Sequence, residues 1–138
     1  MVEDSDRFDP YYMHLFVWDT HTNKLVGSYR MAKCDEIIAS QGVKGLYSRS
    51  LFKYKQEYIE RLGGALELGR SFISPEYQRN PRALDMLWRG IGSFIAKNPQ
   101  YHTLFGCVSI SSEHSILARA FLSDTMLTSF AAAPEFLT

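Results

Sequence analysis

Between Ala65 and Ser111 the chain reads as a strand, an amphipathic helix and a second strand, and no other feature restricts the fold as strongly. Two parallel strands cannot be joined by a tight turn, so this order predicts a βαβ crossover with the right-handed connection such units take. The first strand is "GALELGRSFIS". The helix opens at Asn80-Pro81, where asparagine can cap free amides and proline at the first helical position gives up no hydrogen bond. Leu84, Leu87, Trp88, Ile91, Phe94 and Ile95 then fall on one face, and Lys97 followed by Asn98-Pro99 closes the element. The second strand, "TLFGCVSIS" from Thr103 to Ser111, is apolar on both faces, which predicts a place in the middle of a sheet.

Upstream, "MHLFVWD" and "LVGSYRM" flank the polar "THTNK" and predict a β-hairpin. Two helical segments are expected between the hairpin and the crossover. One is capped by Asp35 and stopped at Gly42; the other is capped by Ser50 and stopped at Gly63-Gly64. A last helix, capped by Ser111 or Ser112, is expected to bury Ile116, Leu117, Ala120 and Phe121. The fold class is therefore α/β (α+β), a mixed sheet flanked by helices. With 138 residues, 46% of them hydrophobic, the chain suits one globular domain with a real core.

Charge and cysteine content exclude several functions. Lys+Arg and Asp+Glu both number 15, so no basic excess favours nucleic acid. No apolar run approaches the ~20 residues of a transmembrane helix, and the acidic "MVEDSDRFDP" is no signal peptide. Cys34 and Cys107 are far apart and lack metal-ligand spacing, so no metal is expected and the location predicted is a reducing cytoplasm.

Two places carry possible chemistry. Glu67 and Arg70 lie on opposite faces of a regular strand, and one bulge at Gly69 would bring them to the same side. They then form either a buried ion pair or a base for an amine beside a cation for an anionic group. The loop "SPEYQRNPRA" aims a helix N-terminus and two arginines at one spot, which is either a phosphate cradle or an ordinary capped helix with solvated arginines. His14 and Cys107 read as packed side chains, His114 as solvated, and Tyr47, Tyr54 and Tyr58 as core or rim.

"LELGRSFISPEYQ", "LDMLWRGIGSFI" and "LFGCVSIS", with "DSDRFDPYYMHLFVWD", "LVGSYRM" and "GLYSRSLF" before them, together resemble the GNAT-fold acyltransferases. Within that fold the chain looks closest to the N-acyl amino acid synthases, which include the ornithine-lipid acyltransferases and their hemolysin-labelled relatives. A weaker similarity runs to acyl-homoserine-lactone synthases. The likeness covers roughly residues 4 to 125. It implies a single GNAT-like domain over residues 1–138 without the family's N-terminal strand and helices, and a homodimer as one way to complete the site.

The resemblance also implies a mechanism. The strands holding "ELGRSF" and "FGCVSIS" would splay around a pantetheine arm, with backbone at Ser71, Phe72, Ile73 and Ser74 pairing to its amides. Its phosphate would sit over Gln78, Arg79, Arg82 and Ala83. Pro81 stands where that signature commonly has glycine, which favours the single phosphate of acyl carrier protein over coenzyme A, and the carrier's acidic surface would meet Arg79, Arg82 and Arg89. Glu67 would be the base, Arg70 would orient it or bind an acceptor carboxylate, and Ser109 or Ser111 would protonate the leaving thiolate. The expected activity is transfer of a long acyl chain from acyl carrier protein, or coenzyme A, to an amino acid such as ornithine or glycine. No cofactor is tightly bound, and the lipid product gives a peripheral route to the membrane. Two alternatives are a non-catalytic acyl-thioester or protein-binding module of the same fold and an acetyl-CoA-dependent acetyltransferase.

Overall fold

The computed structural model describes residues 5–131. The chain divides into two compact units, Met1–Gly106 and Cys107–Thr138. The first contains β1 (Met13–Asp19), β2 (Lys24–Lys33), α1 (Cys34–Gln41), α2 (Gln56–Arg61), β3 (Ala65–Ile73), α3 (Pro81–Lys97) and β4 (Thr103–Phe105). The second contains α4 (Ile116–Ser129). The sheet order is β1-β2-β3-β4, antiparallel at its first two junctions and parallel at β3–β4. The mixed sheet and the βαβ connection through α3 are as the sequence predicts.

Alternation along the hairpin gives the sheet two different faces. Met31 and Leu68, paired across β2 and β3, pack with Ile91 of α3, flanked by Met13, Leu15 and Phe94. α3 buries Ala83, Leu87 and Ile91 in that layer. Each fully buried aliphatic side chain contributes roughly 2 kcal/mol. Leu84 and Trp88, expected on the buried face, are half exposed, because only the centre of the apolar stripe meets the sheet. The opposite face carries Ala32 and Ala65, under Phe8, Tyr12, Cys34, Ile37, Leu46 and Leu62, with Tyr47, Tyr54 and Tyr58 packed alongside.

Several local expectations are corrected. α1 starts one residue before Asp35, with Lys33 at its cap and no side-chain capping bond. It ends as expected at Gly42, whose φ of 71° suits glycine. Ser50 caps nothing: it closes a 3-10 turn, and α2 begins only after Lys55. The second crossover strand stops at Phe105 and lies at the sheet edge, so Leu104 is exposed. Among the described residues β4 pairs with β3 alone, so it is an edge strand rather than a central one. α4 is capped by Ser115, whose hydroxyl accepts from the Ala118 amide, rather than by Ser111 or Ser112. Within its own unit it leaves Ile116, Leu117 and Phe121 exposed and buries no residue.

Candidate active site

β3 departs from regular geometry where the sequence places its glycine, but the strained residue is the next one. Ser28 pairs with Phe72 and Arg30 with Gly69, so Arg70 and Ser71 together oppose Tyr29. Arg70 has φ of 44°, the left-handed region that a side chain rarely adopts. The bulge turns its guanidinium onto the face carrying Arg30, where Arg70 Nη1 lies 3.0 Å from Asp6 Oδ2. The parallel ladder with β4 also ends here, at Glu67 and Phe105. At Gly106 a Cβ would stand 2.1 Å from the Leu68 carbonyl oxygen, so only glycine lets the backbones pass this closely. Beyond Glu67, β3 therefore has one edge without a strand partner among the described residues.

Glu67 does not share the cleft with Arg70. It is 2% exposed, and Oε1 accepts from the Ser48 amide at 2.6 Å. Oε2 accepts from the Tyr47 amide at 3.0 Å and from the Tyr12 hydroxyl. The Tyr47 amide also reaches the Tyr12 oxygen, at 2.7 Å. Burial, and then the hydrogen bond to Glu67, raise the Tyr12 pKa and keep the phenol protonated as a donor. Cys34 lies beside this group, and burial with the Glu67 charge pushes its thiol up to about 12, so it stays an inert thiol.

Next to this enclosed carboxylate lies a cluster of four charges. Arg30 is 2% exposed, and its Nη1 meets Asp6 at 2.8 Å and Asp9 at 2.6 Å. Its Nε and Nη2 have no hydrogen-bond partner among the described residues, and the guanidinium carbon lies 4.9 Å and 5.3 Å from the ring centres of Tyr12 and Tyr47. The π faces offset part of the missing hydrogen bonds. Burial pushes the Asp6 pKa up, but hydrogen bonds from Arg30, the Phe8 amide and Arg70 outweigh it and bring it to about 2. The Asp6 amide hydrogen bond, then Arg30, lower that of Asp9.

An open cleft of about 500 Å³ lies over this cluster, lined by Asp9, His14, Ser28, Arg30, Arg70, Ser71 and Phe72. Arg70, Ser71 and Phe72 of the expected set are thus brought together. Asp9, His14 and Arg30 were not expected there, nor were Asp6 and Tyr12 beside Arg30. Their one signal was the arginine inside "GSYRMA", the same anomaly that singled out Arg70.

The remaining expected residues lie elsewhere. Ser74 fastens β3 to β2, its amide to the Val26 carbonyl at 2.8 Å and its hydroxyl to that of Leu25 at 2.7 Å. Ile73 accepts from the Gln78 side chain at 3.1 Å. At the start of α3, Asn80 takes both the Arg82 amide, through its side chain, and the Ala83 amide, through its carbonyl. The Gln78 and Asn80 amides are likewise used within the loop. Arg79 and Arg82 are exposed, and Arg89 pairs with Asp85 at 2.7 Å. Ser109 and Ser111 belong to the second unit, where the Ser111 hydroxyl accepts from the Glu113 amide.

A bulged strand that parts from its parallel neighbour beside an open cleft invites comparison with known families. Residues 2–89 match the acetyltransferase (GNAT) domain. The chain belongs to the GNAT family. It is 32% identical over 112 residues to the L-ornithine N(alpha)-acyltransferase of Brucella abortus, a match covering 77% of this chain and 38% of that protein. It is also 30% identical to the glycine N(alpha)-acyltransferases of Phocaeicola vulgatus, over 76% of the chain, and of Bacteroides thetaiotaomicron, over 79%. Those matches cover 35% of each relative, so the chain spans little more than a third of the curated relatives' length. No solved structure matches. Among the described residues of this GNAT chain, no helix is long and apolar enough to cross a membrane.

Proposed function

We propose that this GNAT chain transfers a long acyl group from a thioester to the α-amine of a small amino acid, with ornithine and glycine as the first acceptors to test. The observation that carries the reading is the cleft at the β3 bulge, where a guanidinium is held by a left-handed backbone beside the open strand edge. The names of the relatives support the α-amine as nucleophile. The donor's amides would pair along the open edge of β3 at Ser71 to Ile73. The acceptor's carboxylate would meet Arg70 and its amine would point into the cleft. A bulge amide between Gly69 and Ser71 would face the developing oxyanion. Phe16 and Phe72 lie opposite Ser28 in one row across the sheet and are both exposed, an apolar shelf at the cleft's edge suited to an acyl chain.

The donor we favour is acyl carrier protein. With the amides at the α3 start taken by Asn80 and the loop itself, the exposed Arg79 and Arg82 remain for a phosphate, which suits one phosphate on an acidic carrier better than a diphosphate. Glu67, enclosed by residues 45–48, supports a positioning role: it holds the wall of the site rather than an amine. Purified protein incubated with palmitoyl carrier protein and a mixture of glycine, ornithine, serine and lysine should give an N-acyl amino acid by mass spectrometry. Intact thioester with no such product would overturn the reading.

A further inference from the structure

We propose that His14, on β1, is the proton acceptor for the attacking amine. The inference rests on N-acyl transfer in the cleft and adds the catalytic base, which neither the family match nor the relatives' names assign. An α-ammonium cannot attack a thioester until it loses a proton, and its ordinary pKa of ~8 keeps most of it charged at neutral pH.

The other carboxylates near the cleft are committed. Both oxygens of Glu67 receive backbone amides inside the protein. Asp6 bridges Arg30 and Arg70, and Asp9 binds Arg30 at 2.6 Å, so both are held as weakly basic anions. The Ser28 hydroxyl donates to the Leu15 carbonyl. His14 remains. It is exposed on the wall of the cleft, and its Nε2 lies 3.1 Å from the Asp9 carbonyl oxygen. A carbonyl only accepts, so Nε2 carries the hydrogen and the neutral ring presents its lone pair at Nδ1. No described residue bonds to that nitrogen. A neutral imidazole with a free ring nitrogen is the side chain most often used as a general base.

The register supplies the position. His14 pairs with Arg30, and Arg30 with Gly69, so one row runs from the imidazole across the sheet to the bulge. Two strand spacings, about 10 Å, separate the ends of that row. The acceptor fits between them, with its amine meeting Nδ1 directly or through one water. The charged groups facing His14 are Asp9 on the preceding turn, Arg30 on β2, Arg70 on β3, and Asp6 between the two guanidiniums; the cations offset the anions.

In the step, His14 Nδ1 takes one proton from the ammonium. The freed nitrogen lone pair forms the C–N bond at the thioester carbonyl, and the C–S bond breaks with its electron pair on sulfur. The second proton lost by nitrogen passes to that thiolate, giving an amide, a thiol and an imidazolium that returns its proton to water.

The test compares kcat/KM against pH for wild type, H14Q and H14A, with thermal melts as a control on folding. At pH 7, H14Q should fall by about 10²- to 10⁴-fold. The loss should shrink at high pH, where the amine deprotonates unaided, and free imidazole should restore part of the H14A rate. A folded H14Q with wild-type kcat/KM and an unchanged acid limb would overturn the proposal while leaving N-acyl transfer intact. Absence of product from wild type would instead overturn the proposed function and this inference with it.

Discussion

Along β3, Ala65 to Leu68 lies buried between two packed layers, whereas Gly69 to Ile73 has, among the described residues, one strand neighbour and a cleft at its side. Glu67 and Arg70 stand three residues apart across that divide. The carboxylate is closed in by two amides and a phenol, while the guanidinium is partly exposed and bound to a carboxylate on the cleft's rim. One residue of bulge separates them. Two ionisable groups on one face of a strand need not be partners: the layer that covers Glu67 stops short of Arg70.

Arg30 sits at that boundary, touching both the aromatic cage and the rim carboxylates. R30M should cost about 3 kcal/mol in urea unfolding, because Asp6 and Asp9 would face an apolar chain. A loss below the error of the urea titration would show that the two halves do not depend on it. G106A strikes the buried half alone. Its Cβ would overlap the Leu68 carbonyl, and a loss of about 2 kcal/mol is expected with the acceptor KM unchanged.

Acid should loosen the rim. The folded pKa of Asp6, about 2, lies below its ordinary 3.8, so its contribution is complete above the ordinary value and is lost as pH falls from about 4 toward 2. That contribution is on the order of 1 kcal/mol after solvent screening, and D6N should flatten the stability curve in that window. The smallest effect belongs to the open half: R82A should leave the melt unchanged and raise the KM for the carrier protein a few-fold, more at low salt than at high salt.

The hairpin, α3 and the parallel crossover were legible because each is written locally, in alternation, in a helical stripe and in Asn80-Pro81. The short second crossover strand was not: "TLFGCVSIS" records apolarity, and only tertiary structure decides how many neighbours a strand has. The bulge was foreseen beside Gly69, yet the left-handed residue is Arg70, since the arginine's ion pair helps offset strain that glycine would avoid. The partners of Glu67 were hidden because backbone amides at Tyr47 and Ser48 leave no residue-type signature. His14 read as packed because Phe16 and Trp18 share its face, but among the described residues that stretch of the sheet carries no covering layer and all three are exposed.

The division of β3 is tested most directly by the pH dependence of acyl transfer in E67Q, measured well below its melting temperature. The amide should lower stability by about 1–3 kcal/mol, since its NH₂ would face the Tyr47 and Ser48 donors. The folded variant should keep the wild-type acid limb and a kcat/KM within about tenfold. A folded E67Q that has lost that limb and about 10²-fold or more in kcat/KM would make Glu67 the base and contradict the account.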